Sequence, residues 1–342
     1  MSDILDTKGM WESALAFPEQ VERAARPQQF LGLPSREEIE NVVVLGMGGS
    51  GIAGEVMTAV AGPFMPVPIV VTKSYEPPNF VGPSTLCFAL SFSGDTEETL
   101  EAAQIAALAG SRMVVVAKGG ELARLAQSWD ATLIGLPDDI PYPRAGLGAM
   151  AIPTLLVLEQ VGLFPGASGW IELAVAQLRT RRDELSKDVN SARELARRIG
   201  RTMPLVYGGG GLGAGAAVRW KNEMNENTKV PSFANTVPEL THNEIQGWGQ
   251  HGDITRQIFT LVLLRHDHEH PQIMRRFDLV RKWTEEVVAG VEEVQAEGEG
   301  RLAQMLDLMF YGTMTSLHMA ANEGIDPGPI SVLEEIKAEL AN

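Results

Sequence analysis

Val42-Val43-Val44-Leu45 runs into Gly46-Met47-Gly48-Gly49-Ser50-Gly51, and the reading of this stretch decides the fold. An uninterrupted β-branched run suits a strand buried on both faces, as in a parallel sheet. The glycines permit a tight turn, and a helical apolar pattern follows at 53–60. Strand, glycine turn and helix together present free backbone N–H groups at the carboxyl edge of a sheet.

The same opening returns downstream. Pro204-Leu205-Val206-Tyr207 leads into Gly208-Gly209-Gly210-Gly211-Leu212-Gly213, so that Gly46, Gly48, Gly49 and Gly51 fall on Gly208, Gly210, Gly211 and Gly213. Recurrence of strand, turn and helix in one order predicts a duplicated lobe. Working outward, strands are expected at 69–72, 85–90, 113–117 and 132–136, with helices at 97–109 and 122–127. The second lobe is expected to continue with a strand at 258–264 and helices at 271–288, 301–321 and 332–340. The pattern is α/β, with two doubly wound lobes. We divide the chain into an N-terminal helical segment (1–40), a first, phosphate-binding lobe (41–151), a helical linker (152–199) and a second lobe with its C-terminal helix (200–342).

Composition narrows the function classes. The chain has 342 residues and a formal net charge of −16. A uniformly acidic surface repels a nucleic-acid backbone and an anionic membrane, so neither is expected as a partner. A small anion needs only a local pocket of donors and is not excluded. The single cysteine, Cys87, sits in an apolar run and reads as a buried hydrophobe, not a nucleophile. With no disulfide framework, no apolar signal core at 1–10 and no run near the ~20 apolar residues of a membrane span, a soluble cytoplasmic protein is expected.

The first glycine turn matches G-x-G-x-x-G, so a dinucleotide site and an NAD(P)-dependent oxidoreductase are one reading. Against it, Thr72-Lys73-Ser74 stands where an acid is expected after the second strand, although Lys73 would suit a 2′-phosphate. A second loop after the third strand, Ser91-Phe92-Ser93-Gly94-Asp95-Thr96, supplies three hydroxyls and runs into a helix. Ser50, Ser91, Ser93 and Thr96, with the amides of Gly48 and Gly49, make a cup for one phosphate. The competing role for Thr96 is a plain N-cap. Asp95 is expected to face solvent, because an inward carboxylate would repel the anion.

With these loops in view, the chain resembles the bifunctional phosphoglucose/phosphomannose isomerases, members of the sugar isomerase (SIS) domain class. The stretch Arg219-Trp220-Lys221-Asn222-Glu223-Met224-Asn225-Glu226-Asn227-Thr228-Lys229 is similar to the segment bearing that family's catalytic glutamate. Pro238-Glu239-Leu240-Thr241-His242-Asn243-Glu244 resembles its histidine segment. Pro143-Arg144 with Gly146 resembles its arginine loop, and Asp326-Pro327 followed by Leu333-Glu334-Glu335-Ile336-Lys337 its C-terminal lysine helix. The resemblance implies two SIS-type, flavodoxin-like lobes and interconversion of glucose 6-phosphate and fructose 6-phosphate, with mannose 6-phosphate as a further candidate. It implies Glu226 as the base moving a proton between C2 and C1, and Arg144 beside the enediolate. His242 and Lys337 would serve ring opening. It implies no metal, no organic cofactor, and a homodimer in which His242 completes the partner's site.

Without the resemblance, Glu226 and Lys337 read as solvated helix residues and His242 as an ordinary loop histidine. A non-catalytic sugar-phosphate sensor would keep the phosphate loops and have no use for these three together. His266-Asp267-His268-Glu269-His270 has metal-ligand composition, but so short a loop rarely aims three side chains at one point, and a solvated loop is expected.

Overall fold

The structure, a computed structural model, describes residues 4–340. Its strands are β1 Asn41–Gly46, β2 Ile69–Thr72, β3 Thr85–Ser91, β4 Arg112–Ala117, β5 Thr132–Gly135, β6 Met203–Gly209, β7 Phe233–Val237, β8 Phe259–Arg265 and β9 Gly290–Gln295. They form two sheets, in the orders β2-β1-β3-β4-β5 and β7-β6-β8-β9, and every pairing is parallel. In both, the first strand of the lobe lies between the second and third. The crevice where the order reverses is where doubly wound folds hold ligands.

The helices are α1 Met10–Leu15, α2 Phe17–Ala24, α3 Gly48–Val60, α4 Glu97–Leu108, α5 Gly120–Ser128, α6 Leu147–Val161, α7 Ala167–Leu185, α8 Ser191–Ile199, α9 Gly210–Glu223, α10 Gly252–Ile258, α11 Pro271–Thr284, α12 Arg301–Asn322 and α13 Ser331–Leu340. No helix among the described residues is long and apolar enough to cross a membrane.

The duplication is visible atom by atom. Gly48 and Gly210 open α3 and α9 with φ of 49° and 60°, the left-handed region that glycine enters without steric cost. Helix and strand then approach closely. A Cβ on Gly51 would lie 2.7 Å from Gly46 O, and one on Gly208 would lie 1.9 Å from Gly213 O. Both distances are below any tolerable contact, so backbone packing imposes the glycine pattern in each lobe.

One continuous core fills the space between the sheets. Val42, Val44, Phe88, Val206, Leu264 and most of α12 contribute to it, and so do Met10 and Phe17 of the N-terminal helices. Alternate strand residues point outward into two smaller cores, around Val43 and Cys87 in the first lobe and Tyr207 and Leu263 in the second. That two-sided burial explains the unbroken apolar strands. Each fully buried Val or Leu contributes about 1.5–3 kcal/mol. Cys87 is fully buried and its thiol is pushed up to about 12 by burial, so it packs and does not react.

Several elements depart from expectation. β7 and β9 are absent from the sequence reading. The helical stretch read at 152–199 begins at Leu147 and breaks into three helices, the first ending on Gly162 at φ 85°. The helix read at 271–288 stops at Thr284 so that the chain can turn into β9. The N-terminal segment read as helical at 1–40 forms two short helices, α1 and α2, and a 3-10 turn at Arg36–Glu38. These short helices pack against α6, α7 and α12 rather than standing apart.

Candidate active site

The glycine turn, the hydroxyl loop and the arginine turn meet at the carboxyl ends of β1 and β3. Ser50 Oγ accepts the Phe92 N–H at 3.1 Å, tying the first loop to the second. Gly49 abuts the arginine turn, where a Cβ would lie 3.1 Å from Arg144 N. Ser91 is fully buried. Its Oγ accepts N–H bonds from Gly94 (3.1 Å) and Thr96 (3.4 Å) and lies 2.9 Å from Thr96 Oγ1. The loop therefore winds round the Ser91 hydroxyl. Thr96 occupies the N-cap position of α4 but makes no side-chain cap, so its hydroxyl is not spent on the first-turn N–H groups. Those groups and the helix's positive end remain available to an anion. Ser93 is exposed and its Oγ accepts Asp95 N–H at 3.2 Å.

Asp95 is exposed, as expected, yet it is not idle. Its Oδ1 accepts the Glu121 N–H at 2.8 Å, at the start of α5. The carboxylate is thereby turned toward a different helix N-terminus, which favours negative charge.

Arg144 lies on a short 3-10 turn, Pro143–Gly146, and only 3% of its side chain is exposed. Its guanidinium is held on every side. Nε donates to Asn227 Oδ1 (3.0 Å), Nη1 to Glu226 Oε2 (3.3 Å), and Nη2 to Pro327 O (2.7 Å) and Gly328 O (2.9 Å). The Tyr142 ring lies beneath it, 5.1 Å from Cζ. The turn itself is gripped by the N-terminal helices. Buried Gln20 on α2 donates to Ala145 O (2.7 Å) and accepts from Gly148 N (2.8 Å), which opens α6.

Glu226 sits where α9 widens into a π-turn, Met224–Thr228, a distortion frequent at functional sites. Its side chain is 23% exposed. Burial raises its carboxyl above the ordinary value; Arg144 opposes this, Glu223 adds to it, and Arg219 and Lys229 oppose it. The result is a carboxylate with increased affinity for a proton, next to one fixed cation.

Beneath this pair runs a buried polar relay that the sequence reading did not assign. Arg219 Nη2 donates to Arg144 O (2.6 Å) and pairs with Glu223. Glu223 Oε2 accepts from Asn227 Nδ2 (2.6 Å), which also donates to Ser316 Oγ (2.9 Å). Arg219, Glu223 and Asn227 recur every four residues on one helix face, and that charged stripe in a buried helix was the available signal. Lys229 also touches the Glu226 backbone, its Nζ donating to Glu226 O.

Two candidate residues lie elsewhere. His242 is exposed on the 3-10 turn Glu239–His242, and Lys337 is exposed on α13. Among the described residues, no hydrogen bond or ion pair joins either to Glu226 or Arg144. The dinucleotide reading loses ground, because Lys73 is paired with Glu55 of α3 at 2.5 Å.

The histidine loop is inward, not solvated throughout. His266 is buried, Nε2 lies 2.8 Å from Gly209 O, and Nδ1 accepts His268 N–H at 3.2 Å. Buried Glu269 forks onto Arg265. Among the described residues no group of three His, Cys, Asp or Glu side chains converges on a metal-sized point.

The comparisons with known proteins bear on this geometry. A family model described as the bacterial phospho-glucose isomerase C-terminal SIS domain matches residues 188–340. The bifunctional phosphoglucose/phosphomannose isomerase of Caldicellulosiruptor bescii is 32% identical, with 97% of this chain and 99% of that protein covered. This chain belongs to the bifunctional phosphoglucose/phosphomannose isomerase family. The family member from Aquifex aeolicus is also 32% identical, over 88% of this chain and 90% of its own. A glucose 6-phosphate isomerase-like protein from Thermus thermophilus shares the fold, with a TM-score of 0.61 at 20% identity over 96% of this chain and 95% of that one. The two lobes are thus SIS-type lobes, and Glu226, His242 and Lys337 all fall within the matched region of this isomerase family.

Proposed function

We propose that this protein is an aldose–ketose isomerase of hexose 6-phosphates. It interconverts glucose 6-phosphate and fructose 6-phosphate, and takes mannose 6-phosphate through the same enediolate. The observation that carries this reading is one unbroken chain of contacts. Ser50 touches the loop 91–96, Gly49 touches the arginine turn, and Arg144 touches Glu226. A phosphate cup and a base beside a fixed cation suit a substrate with an anion at one end and an acidic C–H at the other.

In this mechanism the phosphate rests on the hydroxyls of Ser50, Ser91, Ser93 and Thr96 and the amides of Gly48 and Gly49. His242 passes a proton between the ring oxygen and O1 as the ring opens, with Lys337 assisting. Glu226 takes the C2 proton; the C2–H electrons form the C1–C2 double bond and charge moves onto O1. Arg144 stabilises that enediolate. Glu226 then returns the proton to C1 while the O2 hydroxyl proton passes to O1, leaving the C2 carbonyl of the ketose. Rotation about C2–C3 before reprotonation at C2 gives the mannose epimer.

His242 and Lys337 reach the site from a second copy or by docking of α13. All ten residues of α13 are exposed in the single chain, Val332, Leu333, Ile336 and Leu340 among them. An apolar helix face and an exposed histidine support a homodimer in which His242 completes the neighbour's pocket. The buried, unreactive Cys87 is in keeping with a reducing cytoplasm.

A coupled assay with glucose 6-phosphate, fructose 6-phosphate and mannose 6-phosphate tests the reading. Turnover of the first pair is expected, and Glu226→Gln should abolish it while phosphate-ligand binding persists. Binding without turnover in the wild-type protein would make it a sugar-phosphate sensor instead.

A further inference from the structure

Lys229 ends the π-turn that carries Glu226, and it does so with φ 60° and ψ 21°. This left-handed conformation is strained for a side chain of its size, and glycine or asparagine is the usual occupant. Its ammonium faces backbone carbonyls: Nζ donates to Glu226 O, to Pro329 O at 2.7 Å and to Pro327 O at 3.4 Å. No carboxylate forms an ion pair with it among the described residues. A lysine head has three donors, and here each is directed at a carbonyl.

The same turn is held from its other side by Arg144, through Pro327 O and Gly328 O. Asp326 fixes its entry, accepting from Thr7 Oγ1 at 2.5 Å and from Gly328 N at 3.0 Å. The turn leads directly into α13, which carries Lys337. Two cations therefore bind one C-terminal turn to the two sides of Glu226, Arg144 at its carboxylate and Lys229 at its backbone.

We propose that Lys229 is a positioning residue, one that locks the Glu226 turn onto the C-terminal turn and keeps the Glu226 carboxylate in its proton-accepting form. The inference rests on the isomerase reading. The charged groups facing Glu226 are Arg144 from the arginine turn, Arg219 and Glu223 from α9, and Lys229 from its own turn, with Asp326 beside Lys229. Burial and Glu223 favour protonation of Glu226; the three cations oppose it. Removing one cation moves the carboxyl upward.

Lys229→Gln removes the charge and keeps a donor, Lys229→Met removes both, and Lys229→Arg keeps both. For Lys229→Gln, the acid limb of kcat/KM is expected to move to higher pH. Lys229→Met is expected to add a fall in kcat of about tenfold or more. In both, KM and the affinity for sorbitol 6-phosphate, which binds but has no carbonyl to enolise, should stay within about twofold. Lys229→Arg should restore the wild-type limb. A carbon-13 NMR titration of the Glu226 carboxyl, assigned with Glu226→Gln, reads the same shift without turnover. An unmoved titration in Lys229→Gln overturns the proposal, and so does equal loss of kcat and sorbitol 6-phosphate binding in Lys229→Met. If Lys229→Met does not fold, the Lys229→Gln titration decides. Absence of turnover in the wild-type protein would instead sink the isomerase reading, with the titration still deciding the role of Lys229.

Discussion

Glu226 faces Arg144 across 3.3 Å although 82 residues separate them in the chain. Neither can be understood alone. The arginine is almost wholly buried, and its charge is matched by one carboxylate, one amide oxygen and two carbonyls. The glutamate keeps 23% of its side chain exposed.

Arg144→Lys tests how much that fork matters. One ammonium cannot point at Asn227, Glu226, Pro327 and Gly328 in four directions. We expect kcat to fall about 10²–10³-fold, the scale of losing a preorganised donor at a developing oxyanion. Denaturant unfolding should show a loss of about 2–4 kcal/mol from the orphaned buried acceptors.

The pH profile follows from the environment of Glu226. Its proton affinity is raised chiefly by burial. On the proposed mechanism Glu226 works as a base only when ionised, so activity is expected to fall as pH drops through that raised value. The acid limb of kcat/KM is expected above the ordinary glutamate value of about 4.3. A limb at or below that value would mean that another group controls it.

The proposed phosphate cup makes a different prediction, because the phosphate of a hexose 6-phosphate is remote from C1 and C2. Thr96→Val should raise KM about tenfold while kcat changes less than about threefold, since that contact is the same in ground and transition states. Ser91→Ala should do the same and also cost about 1–3 kcal/mol in stability, because the Gly94 and Thr96 amides lose their acceptor.

Subunit exchange tests the shared histidine. Glu226→Gln and His242→Ala proteins should each be inactive alone. Mixed after demonstrated exchange, they should regain up to about a quarter of wild-type activity per site, as random pairing leaves half the dimers with one intact pocket of two. No recovery would place His242 in its own chain's pocket or outside the site.

The glycine pattern gives a stability test. Gly208→Ala should destabilise by about 3 kcal/mol or more, since its Cβ would meet backbone at Gly213. Gly169→Ala on α7 meets nothing within 4 Å and should stabilise by about 0.5–1 kcal/mol. Thermal melts of both check the pair.

The fold was legible wherever local chemistry was strong. Strands such as β1, β3 and β6 are buried on both faces, so their apolar runs announce themselves, and the glycine turns after them answer a backbone clash that no other residue avoids. β7 and β9 are edge strands of the second sheet. Phe233-Ala234-Asn235-Thr236-Val237 and Gly290-Val291-Glu292-Glu293-Val294-Gln295 are half polar because one edge and much of one face meet water, so their sequences resemble loops.

For the site, the chain alone determined which chemical groups were present and in what order: a hydroxyl-rich loop, an arginine turn, a glutamate-bearing helix end. Tertiary structure decided their geometry. Only folding brings Arg144 to carbonyls 183 and 184 residues away, seats Gln20 under the arginine turn and sends the Thr96 hydroxyl to Ser91 instead of the helix end. The reason is physical. Local sequence selects backbone conformation over a few residues, whereas a buried guanidinium takes whatever acceptors the packed core places around it.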